Sequence, residues 1–281
     1  MFSRIHKIYL PHPALKEFVN NIMIQRVALD PSEPKLVLPM PPIQEQGIFF
    51  FPHDPVFQSE LESNHKLIEL PRIAVVARRV NRLNVVMGYN HLVIKVGFQP
   101  GGLFRLLGIP MNEFPADNVP CESASLIDNE VPFILEQLNE AASFEHMVAI
   151  LQKWMLGKLH RLKKELPIDR ALPYIIKKGT LSSTADVASQ SCVSIRQLER
   201  LFQQRIGLPP QYYARLVRFT KAWIIKENNP AVNWTNLAYE CGYFDQMHLI
   251  HDFKEFTGVT PSIIQKDLQN LPFSLQHEVF H

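Results

Sequence analysis

Cysteine is scarce: Cys121, Cys192 and Cys241 are the only three in 281 residues, far apart and odd in number. None belongs to a CxxC pair, so a zinc or dithiol redox site of the usual spacing is excluded and a reducing compartment suits the chain. Long apolar runs are also missing. The start, MFSRIHKIYLPHPALKEFV, lacks the apolar core of a secretory signal, and no run is long enough to span a bilayer, so the expectation is a cytoplasmic protein without membrane attachment. Catalytic patterns are missing as well. His6, His12, His53, His65 and His91 form no HxH pair beside carboxylates, which leaves ordinary surface or hydrogen-bonded histidines ahead of a metal-binding barrel. Gln99-Pro100-Gly101-Gly102 is not followed by GK[ST], so it is no phosphate loop, and no nucleophile-elbow pattern singles out a serine. The expectation is a protein that is not an enzyme and carries no cofactor or metal.

What is present is a strongly uneven charge. The net +2 divides into 13 Lys/Arg against 16 Asp/Glu over residues 1–157, 14 against 4 over 158–226, and 2 against 7 over 227–281, giving −3, +10 and −5. A basic block between acidic ones is expected when one module meets a polyanion; a solvated basic helix face is the plainer alternative. With 46% apolar residues the chain can bury more than one core, and its length suits two domains.

Residues 1–130 read as a β-rich domain. Prolines at 31, 34, 39, 41 and 42 punctuate it, and Gly47–Phe51 resembles a buried strand ended by Pro52. Arg72–Ala77 is a second candidate. In His91–Phe98, Leu92, Ile94, Val96 and Phe98 alternate with His91, Val93, Lys95 and Gly97, which predicts a strand with one apolar face. Residues 99–102 must then turn the chain, and Leu103–Leu107 follows as a short helix. Such segments suggest a small barrel or sandwich. From 131 the period changes to three or four: a short helix over Pro132–Leu138 precedes a longer one from Ser143, with a stripe of Phe144, Met147, Val148, Leu151, Trp154, Met155, Leu159 and Leu162. The stripe suits packing on its own domain or a subunit interface. Residues 131–166 are thus a helical extension, and Pro167 is the expected boundary.

Residues 167–270 read as all-helical and contain an internal repeat. Asp186-Val187-Ala188 and Asn236-Leu237-Ala238 each put an alanine four residues before a turn residue, Cys192 or Gly242. After one inserted residue, Phe244, the copies run fifty-one apart: Ser194 with Asp245, Leu198 with Leu249, Phe202 with Phe253, Gly207 with Gly258, Pro210 with Pro261. Each copy predicts a helix, a tight turn and a second helix capped by Ser or Asp, with a glycine stop. Gln197 stands at the capping-box position for Ser194. The small alanine permits two helices to cross steeply, as in a helix-turn-helix whose second helix enters a DNA major groove. A long helix over roughly Pro210–Glu227 joins the copies and would set the two recognition helices on one side of a duplex, about one turn of ~34 Å apart. Residues 271–281 form a tail.

The segments SIRQLERLFQQRIGLPPQYYARLVRF and NWTNLAYECGYFDQMHLIHDFKEFTGVTP resemble the double helix-turn-helix domain of AraC-type transcription regulators over about 168–266. VGFQPGGLFRLLGIPMNEF at 96–114 is similar to the sensor-like region of one AraC subgroup. The resemblance implies an α+β, multidomain chain: a β-rich, barrel-like effector or dimerisation domain with appended helices, then an all-α DNA-binding domain. It implies double-stranded DNA as partner, with a small-molecule effector, RNA polymerase and a second copy of the chain as further candidates. The first recognition helix falls on Ser194–Gln204, with Arg196, Glu199, Arg200 and Gln203 facing the groove and Ser194 and Gln197 beside them. Arginine suits guanine O6 and N7, whereas Glu199 suits a cytosine amino group or a neighbouring arginine. Ser182 or Ser183, Arg218 and Lys221 are expected to hold phosphates or brace the two halves, with an internal salt bridge as the alternative for Arg218.

The second recognition helix, Asp245–Phe256, departs from the family pattern. It carries Gln246, Met247, His248, Ile250, His251 and Lys254 where polar residues and an arginine are common, in an acidic setting. Met247 and Ile250 suit a thymine methyl and Gln246 an adenine, while His248 suits either DNA or a buried structural role. The expectation is that the first copy supplies most of the affinity. Two readings compete with an effector-controlled regulator: a DNA-binding protein whose N-terminal part is a ligand-free interaction module, and a nucleic-acid repair enzyme. The latter would need an activated cysteine, and no suitable cluster surrounds any of the three.

Overall fold

A computed structural model describes residues 3–60, 67–114, 127–166, 168–169, 172 and 184–269. Apolar residues at period two, interrupted by prolines and glycines, build nine strands among these residues: β1 (Ser3–Tyr9), β2 (Val19–Ala28), β3 (Val37–Met40), β4 (Gln46–Phe50), β5 (Phe57–Glu60), β6 (Ile68–Glu69), β7 (Ile73–Val76), β8 (Leu83–Val86) and β9 (Asn90–Phe98). They pair into an antiparallel sheet in the order β1-β2-β9-β4-β7 and a second in the order β3-β8-β5-β6. The central strand β9 sets Ile94 opposite Ile24 on β2 and Phe50 on β4. Its side facing away from Ile94 is not solvated as simple alternation predicts: His91 and Lys95 are each 3% exposed. A second layer covers that face, where Phe51, Val56, Ala74 and Val93 cluster. Burying Lys95 is tolerated because it pairs with the equally buried Glu45.

The opposite face of the five-stranded sheet is covered by helices. Gly101 takes a left-handed turn (φ 74°), and α1 (Gly102–Leu107) begins where a Cβ on Gly102 would lie 2.1 Å from the Phe18 carbonyl oxygen. Helix α2 (Val131–Glu140) and helix α3 (Phe144–Leu156) follow, the latter capped by Ser143 Oγ, which accepts from the His146 N–H at 3.2 Å. Met147, Val148, Leu151, Trp154 and Met155 are buried in the same core as Ile22, Ile24 and Ile48, so this part of the stripe packs on its own domain. Each such side chain contributes ~1.5–3 kcal/mol of burial.

Six helices complete the described chain: α4 (Thr184–Gln190), α5 (Ile195–Arg205), α6 (Pro210–Asn228), α7 (Trp234–Glu240), α8 (Gln246–Thr257) and α9 (Pro261–Gln269). They enclose a second core that includes Ile168 and Leu172. Phe219 on α6 meets both Phe253 and Phe256 on α8, each with ring centroids 4.9 Å apart. No helix among the described residues is long and apolar enough to cross a membrane. Cys121, the expected boundary at Pro167, Ser182, Ser183 and the tail 271–281 lie outside the described residues.

Candidate nucleic-acid interface

In the first copy α4 ends at a turn in which the Val193 N–H donates to the Ala188 carbonyl oxygen at 3.0 Å, and α5 starts from Ser194, whose Oγ accepts from the Gln197 N–H at 3.2 Å. Ala188 is buried at the crossing, and Leu198, Leu201 and Phe202 hold the inner face of α5. That anchoring leaves Arg196, Gln197, Glu199 and Arg200 exposed and Gln203 half-buried. Among the described residues the side chains of Arg196 and Arg200 have no hydrogen-bond or ion-pair partner, so both guanidinium groups are available to an external anion or base edge.

The second copy repeats the geometry. The Tyr243 N–H donates to the Ala238 carbonyl oxygen at 2.9 Å, and Asp245 caps α8 by accepting from the His248 N–H at 2.9 Å. The His248 ring bonds the same carboxylate, and its side chain is 65% exposed, so the buried structural role does not hold: the cap draws the ring outward. Gln246 Oε1 accepts from Thr235 Oγ1 at 2.7 Å, which fixes the amide beside α7. Met247, His251 and Lys254 are exposed, and Ile250 is half-buried. With the copies offset by fifty-one residues, Met247 and His251 occupy the positions of Arg196 and Arg200.

The linker helix α6 spends its cations on bracing. Lys221 Nζ donates to the Glu240 carbonyl oxygen at 2.7 Å, at the end of α7 where the helix dipole favours a positive charge. Arg218 stacks over Tyr243 with its guanidinium carbon 5.1 Å from the ring centroid, so its internal partner is an aromatic face rather than a carboxylate. Arg215, which the sequence reading did not single out, bonds Asp252 through Nε (3.1 Å) and Nη2 (2.7 Å) and also pairs with Glu255. Asp252 and Glu255 share the α8 face toward α6, and that spacing was the available signal. His251, Asp252 and Glu255 lie close enough together to suggest a metal site, but the guanidinium already holds both carboxylates. Arg205, paired with Asp169, and Lys226, bound to the Pro230 and Val232 carbonyl oxygens, are also used internally. The +10 block therefore presents fewer outward charges than its composition suggests.

The end of α5 is bound to the β-rich domain. Gln46 Nε2 donates to the carbonyl oxygens of Arg205 (3.0 Å) and Ile206 (3.3 Å), and Arg78 donates from Nη1 to the Gly207 carbonyl oxygen (3.1 Å) and from Nη2 to that of Phe114 (3.1 Å). Gly207 has φ 80°, and a Cβ there would lie 3.2 Å from both Arg78 and Met111. Four residues beyond Arg78, the Arg82 N–H donates to the Phe256 carbonyl oxygen in α8 at 3.0 Å, while Tyr212 OH on α6 donates to that of Val80 at 3.3 Å. Residues 78–82 thus touch the turn that ends the first recognition helix, the second recognition helix and the helix joining them.

Arg78 and Arg79 border a cavity of about 160 Å³ between the two sheets, lined by Met23, Met40, Phe49, Phe51 and Met87 with Arg79 and His91 among the polar groups. Burial pushes the His91 imidazole down to about 4, so it is neutral near pH 7, and lowers buried Arg79 to about 10, leaving it charged. A cavity of roughly 150 Å³ accepts a molecule the size of benzene.

Two helix-turn-helix units joined by one long helix define the class of the C-terminal region. The family described as "Helix-turn-helix domain" matches residues 187–267, so this region is a helix-turn-helix domain. The HTH-type transcriptional regulator ArgR of Pseudomonas aeruginosa is 31% identical over 80 residues, 28% of this chain and 24% of that protein. The HTH-type transcriptional activator RhaS of Escherichia coli is 34% identical over 80 residues, 28% of each chain. The chain thus matches about a quarter of the length of these relatives. A crystal structure of ToxT from Vibrio cholerae is similar at 11% identity with a TM-score of 0.46, covering 96% of this chain and 99% of that one.

Proposed function

We propose that this protein is a sequence-specific DNA-binding transcription regulator whose two recognition helices, α5 and α8, enter successive major grooves about one turn (~34 Å) apart. The observation that carries the reading is the exposed pair Arg196 and Arg200, without a partner among the described residues, on the outer face of a capped, well-anchored second helix of a helix-turn-helix. Each arginine that meets a guanine bidentately supplies ~1–3 kcal/mol of discrimination. Gln197, Glu199 and Gln203 complete the first reading surface, and Gln246, Met247, His248, Ile250, His251 and Lys254 form the second. Lys221 and Arg218 act by holding the copies together. Ser194 acts through its cap.

The cavity between the sheets supports a small-molecule effector over a ligand-free interaction module, because it combines an apolar wall with a buried cation. A thermal-shift screen over metabolites checks this, since an effector raises the melting temperature once its concentration exceeds its dissociation constant.

The DNA reading is tested by mobility shift on genomic fragments with a salt titration. Affinity should fall steeply as salt rises, and indifference to salt would count against the proposal. Arg196→Ala or Arg200→Ala should weaken specific binding by about 5- to 150-fold, the equivalent of ~1–3 kcal/mol, whereas His251→Ala should change it only a few-fold. Equal losses from all three would overturn the division of labour between the copies.

A further inference from the structure

We infer that α8 reads its half-site by apolar contact with thymine methyl groups, through Phe244 and Met247. The inference rests on the DNA-binding reading above. Met247, His248 and His251 share the outward face of α8, and Phe244, which precedes the Asp245 cap, extends that stripe by setting its ring against His248. All four are exposed: Phe244 84%, Met247 69%, and the side chains of His248 and His251 65% and 74%. Two large apolar side chains this open to water and side by side form a patch suited to an apolar partner surface. Phe244 is the residue by which the second copy exceeds the first, placed just before the Asp245 cap, and its ring stands edge-on to His248 with centroids 5.9 Å apart. It therefore extends the helix's N-terminal reading end, the part of a recognition helix that meets base edges.

The occupant follows from the two copies. Where α5 presents Arg196 and Arg200, α8 presents Met247 and His251, and the carboxylates beside His251, Asp252 and Glu255, are held by Arg215. Lys254, one turn beyond His251, is the exposed cation of α8, and the N-terminal part of the stripe offers no arginine or lysine for a phosphate or a guanine. Thymine is the base that presents a methyl group in the major groove, so it is the chemical partner this stripe fits. Continuity with α5 in the same double helix-turn-helix puts that partner on the same duplex.

The test uses the full chain and its preferred duplex, selected from a random pool, with deoxyuridine replacing thymine in one half-site at a time. Removing a contacted methyl should weaken binding about fourfold per thymine, as expected for one buried carbon, in one half-site only. A Phe244→Ala/Met247→Ala protein should lose that thymine-over-uracil preference while keeping its melting temperature, because both side chains are exposed. Native protein that binds both duplexes equally would overturn the inference, as would a double variant that keeps the preference; the patch would then serve another partner. Failure to select any duplex would instead overturn the DNA-binding reading itself.

Discussion

Cys192 holds a left-handed backbone at φ 52°, where the second copy has Gly242 at φ 78°. A side chain in that conformation costs ~1–2 kcal/mol, part of which glycine gives back through its larger unfolded-state entropy. Cys192→Gly should therefore raise stability by about 0.5–1 kcal/mol, read as a higher urea midpoint with unchanged slope. A lower midpoint would show that the exposed thiol makes a contact worth more than the backbone relief. The other described cysteine differs: burial pushes the Cys241 thiol up to about 12, which keeps it protonated and inert. Residue identity alone did not separate these two, because the distinction lies in which side of the turn each faces.

At the scale of elements, the pairing of Arg215 with Asp252 and Glu255 joins α6 to α8. Asp252 is buried and Arg215 about one-third exposed, so Arg215→Ala should cost about 1–2 kcal/mol after allowing for solvent screening. Arg215→Lys should recover only part, since an ammonium cannot serve both carboxylates with a planar fork. Chemical denaturation of the three proteins checks the order. The helices themselves were legible because their signals are local: Ser143, Ser194 and Asp245 cap where the sequence predicts, and α6 runs from Pro210 to one residue beyond the expected end. Strand β2 was not, because Asn20, Asn21 and Gln25 interrupt its apolar pattern. The side-chain amides of Asn20 and Asn21 donate to Glu45, a partner distant in sequence (2.9 and 3.4 Å). In β9, burial on both faces erased the meaning of alternation.

Across the whole molecule, the two cores meet through backbone carbonyls at the end of α5, which no side-chain motif announces. Gln46→Ala combined with Arg78→Ala removes three hydrogen bonds to residues 205–207 and leaves those carbonyls without their donors. Calorimetry of this variant should resolve two transitions where the native protein shows closer coupling; one unchanged transition would show that the apolar contacts suffice. Residues 78–82 carry a more general consequence. Arg78 and Arg79 border the cavity, while Arg78 holds the turn after α5 and Arg82 holds α8. If an occupant of the cavity changes how this stretch is held and so alters DNA affinity by some factor, reciprocity requires DNA to alter the occupant's affinity by the same factor. The chain bound to its operator and the chain free in solution would then hold that small molecule with different strengths, and its half-saturation point would shift with the amount of operator present.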